Sequence, residues 1–482
     1  MKIQNIRYGF ATNSSSTHSI VVINNGAPNV PVDNQSFDWK NFTLSDYNDK
    51  LEYLGQVLRQ SFESSCGLGE KEAALLASDW LGIEVDPSGY IDHQSFMCIP
   101  RSMDVNNKMP NRKLIEALKK ELKRNDVVIL GGNDNSNGHP LSVIGRLAPG
   151  FSSLPDEYFA RSWVSKYDET FDYWTLFNTV RGTKVRFTFD ERVITKSSTP
   201  DLVDLKITNQ CMRNCKYCYQ NSSAQGKHAN FNVIYNIAHT LSSCGVLEVA
   251  IGGGEPTLHP DFFRILETFN QCNIVPNFST RDISFVINNI IALRSLGVGS
   301  IGVSVDNSDE AEKVQKDFSS VSGVSTNIVL HHIVGTTPPD DLFKIFQVAA
   351  LCNNRVYSNS SWNCLPLLLL GYKTAGRGST YSPYQFDLME QIMKYNEDHY
   401  CAVGMDTMLV DQYKDALKGV SQEVYWSDGE GLFSFYIDAV TEQMGNSSYE
   451  PECLVPLITN TDEFKKMYAL SPEDRVVKEI IE

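Results

Sequence analysis

From Asp201 onward the chain repeats one pattern: a short apolar strand, a loop, then an amphipathic helix. DLVDLKIT (201–208) is apolar and β-branched and runs into a loop carrying three cysteines. FNVIYNIAHTLSSCG then puts Val233, Ile234, Ile237, Ala238 and Leu241 on one helical face and stops at Gly245. VLEVAIGGG reads as the next strand and DFFRILETFNQC as its helix. NIVPNFST, SIGVSVD and STNIVLHH follow as strands, with helices over 282–296, 308–318 and 338–351, and NCLPLLLLG closes the series. Six alternating units predict an α/β fold, a parallel sheet with helices outside it, because parallel neighbours require a crossover between them. In barrels built this way the active site lies at the C-terminal strand ends. The chemically notable residues all fall there: the cysteines after the first strand, GGGEP after the second, Thr280 and Arg281 after the third, Ser304 and Asp306 ending the fourth.

At 482 residues the chain is expected to form two or three domains. Residues 1–195 mix strand-like runs (Ser19–Ile23, Val127–Leu130, Lys184–Phe189) with helical ones (Asp49–Phe62, Lys71–Leu81, Asn111–Lys123), which predicts an α+β accessory domain. Val193–Pro200 reads as a linker, 201–378 as the alternating domain and 379–482 as a smaller C-terminal extension. In that extension the pattern predicts a helix over Pro383–Tyr395, a short strand near Cys401, a helix near Asp411–Leu417 and a strand in LFSFYIDAV.

No run approaches the roughly 18 apolar residues that a membrane span needs. The N-terminus lacks the apolar stretch of a secretory signal, so a cytoplasmic protein without a membrane partner is expected. A formal net charge of −16, with LKKELKRN the densest basic run, argues against long duplex DNA as a partner. A nucleotide, a peptide or a protein remains open as substrate.

Eleven cysteines without a secretory signal point to thiols or metal ligands, not to a disulfide framework. Cys211, Cys215 and Cys218 are spaced CxxxCxxC. A structural zinc site would want a fourth ligand close by, and the nearest histidine, His228, is ten residues on. Thiolates are the ligands of iron–sulfur clusters, and three of them leave one iron of a [4Fe–4S] cubane open to a further ligand.

CxxxCxxC after the first strand, with Tyr217 before the last cysteine, resembles the radical S-adenosylmethionine (SAM) superfamily, and Gly253-Gly254-Glu255-Pro256 is similar to that family's GGEP motif. The resemblance covers roughly 201–371. It implies a partial (β/α)6 barrel and one [4Fe–4S] cluster on Cys211, Cys215 and Cys218, with SAM chelating the open iron. It further implies reductive cleavage of SAM to methionine and a 5′-deoxyadenosyl radical, which takes hydrogen from the substrate, and an electron donor such as a flavodoxin or ferredoxin. By position it assigns Gly253, Gly254 and Glu255 to the SAM amino group and Ser304 and Asp306 to its ribose or carboxylate. Tyr217, Thr280, Arg281 and Asn327 would line the same site. No catalytic acid or base follows from it.

LFSFYIDAVTEQMGNSSYE resembles the tail of relatives with a SPASM or Twitch extension, though Ser434 and Ser447 stand where auxiliary-cluster cysteines would be expected. Cys352, Cys364, Cys401 and Cys453 are too widely spaced to replace them, so a single cluster is expected. Such tails accompany peptide and protein substrates, which makes modification of a peptide or protein side chain the leading expectation. A nucleotide or nucleic-acid base is the runner-up, and a non-catalytic protein that keeps its cluster as a structural part is the third reading. Lys373 and Arg377 in GYKTAGRG can hold an anion, and one of His331 and His332 can face the substrate. RYGFATNSSSTHSIVV resembles an N-terminal motif of many unrelated proteins, and VVILGGNDNSNGHP reads as a strand and loop without a P-loop lysine.

Overall fold

The computed structural model describes residues 2–7, 36–37, 42–44, 46–91, 101–102, 109–123, 129–131, 163–180, 182–188, 192–319, 327–353, 365–392, 403–417 and 429–476. The serine-rich N-terminal motif, the loop after Gly131, and Cys364 and Cys401 lie outside them. The chain divides into two compact units, one chiefly of residues 19–180 and 184–194, the other chiefly of residues 195–482.

The first unit holds three helices, α1 (Tyr47–Cys66), α2 (Glu70–Leu81) and α3 (Arg112–Leu122). Asp46 caps α1, accepting from the amides of Asn48 and Asp49. Leu54, Val57, Leu58 and Phe62 of α1 are buried with Ala73, Ala77 and Trp80 of α2 and Ile115 of α3. An antiparallel meander of β1 (Trp163–Asp168), β2 (Tyr173–Asn178) and β3 (Lys184–Thr188) completes the mixed α and β content expected there.

The second unit is built on one large sheet. Its strands are β4 (Leu202–Thr208), β5 (Glu248–Gly253), β6 (Val275–Thr280), β7 (Ser300–Ser304), β8 (Asn327–Ile333), β9 (Leu367–Leu370) and β10 (Val403–Met405), each parallel to the next. The crossovers carry α4 (Phe231–Ser243), α5 (Phe262–Gln271), α6 (Ile283–Ser295), α7 (Ser308–Ser319) and α8 (Pro339–Asn353). The six strand–helix units therefore form where the apolar pattern puts them. The C-terminal residues join the same sheet: β11 (Ser434–Asp438) lies parallel on the free edge of β4, followed by antiparallel β12 (Gln443–Gly445) and β13 (Val455–Pro456). Of the helix expected over 383–395, residues 388–392 are described and helical. Among the described residues no helix is long and apolar enough to cross a membrane.

Strand side chains alternate, so the sheet has two unlike faces. One is apolar and covered by helices: Val203, Leu205, Ile207, Val249, Ile251, Phe278, Ile301, Val303, Ile328 and Leu330 share a core with Ile234, Leu241, Ile265, Phe269, Val286 and Ile345. Each such side chain contributes about 1.5–3 kcal/mol on burial. The residues between them fall on the other face, and they are polar: Asp204, Lys206 and Thr208 on β4, Asn277 and Ser279 on β6, Ser300 and Ser304 on β7, His331 on β8 and Asp438 on β11. There Asn277 donates to Glu248 at 3.0 Å and accepts from the Ser300 amide at 3.0 Å, while Lys206 pairs with Asp438 at 2.9 Å.

Candidate functional site at the C-terminal strand ends

The loop after β4 carries Cys211, Cys215 and Cys218, all free thiols of intermediate exposure. Its backbone is held at several points. The Cys211 amide donates to Ser223 at 2.9 Å, and the Ser223 amide to Asn209 at 3.1 Å. Arg377 adds a clamp from outside: its amide donates to the Cys218 carbonyl at 3.0 Å, and its guanidinium to the carbonyls of Cys215 at 2.9 Å and Ser222 at 3.0 Å. Sequence reasoning placed Arg377 at the rim but expected it to hold an anion; in the structure its donors are engaged by the cysteine loop.

The glycines ending β5 press against the same loop. The Gly254 amide donates to Thr208 at 2.8 Å and the Glu255 amide to Gln210 at 2.7 Å. A Cβ on Gly253 would stand 2.3 Å from the Thr208 carbonyl oxygen and one on Gly254 would stand 2.2 Å from that of Gln210, so no larger residue fits. Gly253 also adopts φ +126°, where side chains other than glycine are strained.

Five of the residues picked out from the sequence converge on one network. The Glu255 carboxylate accepts from the Thr280 hydroxyl at 2.8 Å, the Arg281 amide at 3.0 Å and the Thr257 hydroxyl at 2.7 Å. The Arg281 guanidinium forks onto both oxygens of Asp306 and reaches the Tyr217 hydroxyl at 2.7 Å, and the Tyr217 hydroxyl itself donates to Asp306. Burial opposes ionisation of Asp306, yet the hydrogen bonds and charge of Arg281 hold its carboxyl below the usual range. Burial pushes the Tyr217 hydroxyl up, and it stays protonated at neutral pH. The network ties the ends of β5, β6 and β7 to the cysteine loop through charge-assisted bonds.

Ser304 ends β7 on the polar face, opposite His331 in register and half-buried. Asn327 is not brought to this rim. It is the first residue of β8, pairs with Ser300, the first residue of β7, and donates to the Gly299 carbonyl at 3.0 Å. It therefore sits at the opposite edge of the sheet, a full strand length from the cysteines; the pattern located the strand but not which of its ends Asn327 occupies. His331 and His332 both prove buried. His331 lies over Gly302, where a Cβ would meet its ring at 2.2 Å, and burial drives its pKa down to about 3. His332 uses Nδ1 on the Val305 carbonyl at 3.0 Å. Lys373 stands over the rings of Tyr219 at 4.6 Å and Tyr449 at 5.0 Å. Cys453 is a free, half-exposed thiol.

Two observations test whether these residues suit a multi-iron cluster and its co-substrate. The donor set is three free thiols on one braced loop, and among the described residues no three Cys, His, Asp or Glu side chains converge as one metal ion would require. Around the loop, buried oxygens of Asn209, Gln220 and Ser222 have no hydrogen-bond partner. Buried polar atoms are nearly always paired, so three orphans beside three thiols mark a place where a polar ligand would satisfy them. The residues fit the group.

Comparison with known proteins bears on the same region. Residues 205–348 match the model of the Radical SAM superfamily. GTP 3′,8-cyclase of Pasteurella multocida (strain Pm70) is 32% identical over 110 residues, 22% of this chain and 33% of that one. The probable GTP 3′,8-cyclase of Methanocaldococcus jannaschii is 31% identical over 144 residues, 28% of this chain and 46% of that one. The chain thus spans less than half the length of these curated relatives. Among solved structures, Streptococcus suis SuiB is 11% identical with a TM-score of 0.42, over 60% of this chain and 82% of that one, an overlap too loose to build on.

Proposed function

We propose that this chain, which carries a radical SAM domain over residues 205–348, is an enzyme that cleaves SAM reductively and abstracts hydrogen from a peptide or protein side chain. The observation that carries the reading is the set of three free thiols on a loop braced by Arg377 and by the Gly253–Glu255 backbone. When bound, the cluster and SAM supply one-electron cleavage of the C5′–S bond and hence a carbon radical. The protein's part is to bind, orient and shield. Cys211, Cys215 and Cys218 would hold the cluster. The carbonyls of Gly253 and Gly254 and the second oxygen of Glu255, which accepts one bond against three at the first, would receive the SAM amino group. Ser304, at the rim on the polar face, is a further candidate contact. Tyr217, Thr280, Arg281 and Asp306 would act one step back, as a brace that fixes Glu255 and the cysteine loop relative to each other.

A peptide or protein substrate is supported by the polar face itself. Asp204 and Glu430 outweigh Lys373 there, Lys206 is neutralised by Asp438, and an acidic surface disfavours a triphosphate. A nucleotide substrate is the second reading, favoured by the likeness to two GTP 3′,8-cyclases. We read residues 1–195 as an accessory domain, 201–378 as the catalytic domain and 379–482 as an extension of it, in a cytoplasmic protein reduced by a flavodoxin- or ferredoxin-like donor.

The test is anaerobic reconstitution with iron and sulfide, reduction with dithionite and assay of 5′-deoxyadenosine from SAM, with Cys215→Ala as control. Deoxyadenosine from the wild type alone is the expected result. Its absence from a fully loaded protein, across candidate peptides and nucleotides, would leave the non-catalytic reading in its place.

A further inference from the structure

The polar face of the sheet holds a group of side chains that the cluster and SAM do not account for. Asp204 is the third residue of β4, between Tyr436 of β11 and Ala250 of β5. One of its carboxyl oxygens is sealed from solvent and has no hydrogen-bond partner. Such a group costs stability unless something satisfies it. Glu430 is set close enough that each raises the acidity barrier of the other's surroundings, and its described partners are the hydroxyls of Thr407 and Tyr449. Both carboxyls feel Lys373, but among the described residues Lys373 makes no ion pair with either. It is stacked against Tyr219 and Tyr449 instead. The ring faces of Tyr219 and Tyr449 thus already hold one cation, as aromatic walls do.

Position gives this group its meaning. Tyr219 follows Cys218 directly, and the segment that carries Lys373 also carries Arg377, which clamps the cysteine loop. The acidic patch is therefore adjacent to the place where hydrogen abstraction would occur.

We propose that this patch is a subsite for an organic cation on the substrate, an amine or guanidinium of the kind a basic peptide side chain presents, with Asp204 and Glu430 as its acceptors. This rests on the peptide reading above and narrows it. A cation supplies donors to the orphan oxygen of Asp204 and relieves the excess of negative charge, which a neutral side chain would do only in part and a triphosphate would worsen. The raised pKa of Asp204, about 7, is the electrostatic counterpart of the same vacancy: burial comes first among its causes, then Glu430, with Glu248 and Asp406 adding to it and Lys373 opposing. Binding of the cation is expected to tighten as pH rises through that value, because the carboxyl must give up its proton.

Isothermal titration of the reconstituted holoenzyme tests this with four probes: the N-acetyl N-methylamides of lysine, arginine and norleucine, and GTP. A basic probe should bind about tenfold or more tightly than norleucine, the range of a charge-assisted hydrogen bond. Asp204→Asn and Glu430→Gln should each remove most of that preference while iron content and circular dichroism stay at wild-type values; the lysine and arginine arms tell amine from guanidinium. Norleucine binding as well as lysine would overturn the proposal, as would GTP binding better than both basic probes, or Asp204→Asn keeping the preference intact. The deoxyadenosine assay separates the two readings: Asp204-dependent binding without deoxyadenosine sinks the radical chemistry and leaves the subsite, and the reverse result does the opposite.

Discussion

Replacing Asp204 by Asn should make the protein more stable, and increasingly so as pH rises. Asp204 moves from an ordinary carboxyl value of 3.8 to about 7, first through burial and then through Glu430. A pKa raised in the folded state means the folded chain holds this proton more tightly than the unfolded chain. Its stability therefore falls as pH rises from the unfolded value through the folded one. One pH unit of displacement is worth about 1.4 kcal/mol, so the fully ionised side chain costs about 4 kcal/mol as an upper figure. At pH 5 roughly a third of that cost is already present, and at pH 8 nearly all of it, a difference of about 2.5 kcal/mol. Asn has the same shape and does not titrate. Any constant penalty it brings cancels when the two pH values are compared, as do all other titrating groups far from the site. Urea unfolding followed by far-UV circular dichroism at both pH values measures the quantity, through the midpoint at unchanged slope. A mutant-minus-wild-type difference that stays flat within about 0.5 kcal/mol between pH 5 and pH 8 would refute the reasoning, because it would mean that Asp204 ionises as easily folded as unfolded. A residue whose removal stabilises the fold while weakening binding carries the signature of function over stability.

Other expectations follow from the brace around the cysteines. Gly254→Ala should lower iron incorporation well below wild type, since its Cβ meets the Gln210 carbonyl at 2.2 Å and must push the start of the cysteine loop away; wild-type iron content in the variant would show that the contact yields freely. Arg377→Met should leave the fold intact but speed loss of the cluster, read as bleaching of its visible absorbance under a chelator, because three carbonyl contacts of the loop depend on this residue. Arg281→Met should destabilise by about 3 kcal/mol by stranding Asp306, and the double variant with Asp306→Leu should recover a large part of that loss in the same urea experiment.

How much of this was legible beforehand differs by residue. The six strands and their helices were readable because burying one face of a strand or helix writes a period of two or of about 3.6 into the chain. The cysteines and Gly253–Glu255 were readable because a cluster loop and a close backbone approach restrict residue type at fixed spacing. Arg281 and Asp306 were picked out individually, but their mutual pairing was not, since they end neighbouring strands 25 residues apart. The clamp by Arg377 joins positions 162 residues apart and leaves no local trace. Asn327 was misplaced because periodicity says that a strand exists without saying which end a given residue holds. Asp204 was overlooked in a segment read simply as apolar, although the alternation of Asp204 and Lys206 with Val203, Leu205 and Ile207 already implied a polar face.

The sequence by itself determined the kind of sheet, the order of its strands, the end at which chemistry would gather and the thiol donors, because each depends on local pattern and residue chemistry. Only the tertiary structure decided which polar side chains satisfy one another and which remain unpaired. That follows from the geometry of pairing: hydrogen bonds and buried charges are settled across strands and between distant loops, where the pleat and register bring residues together that no spacing along the chain can relate.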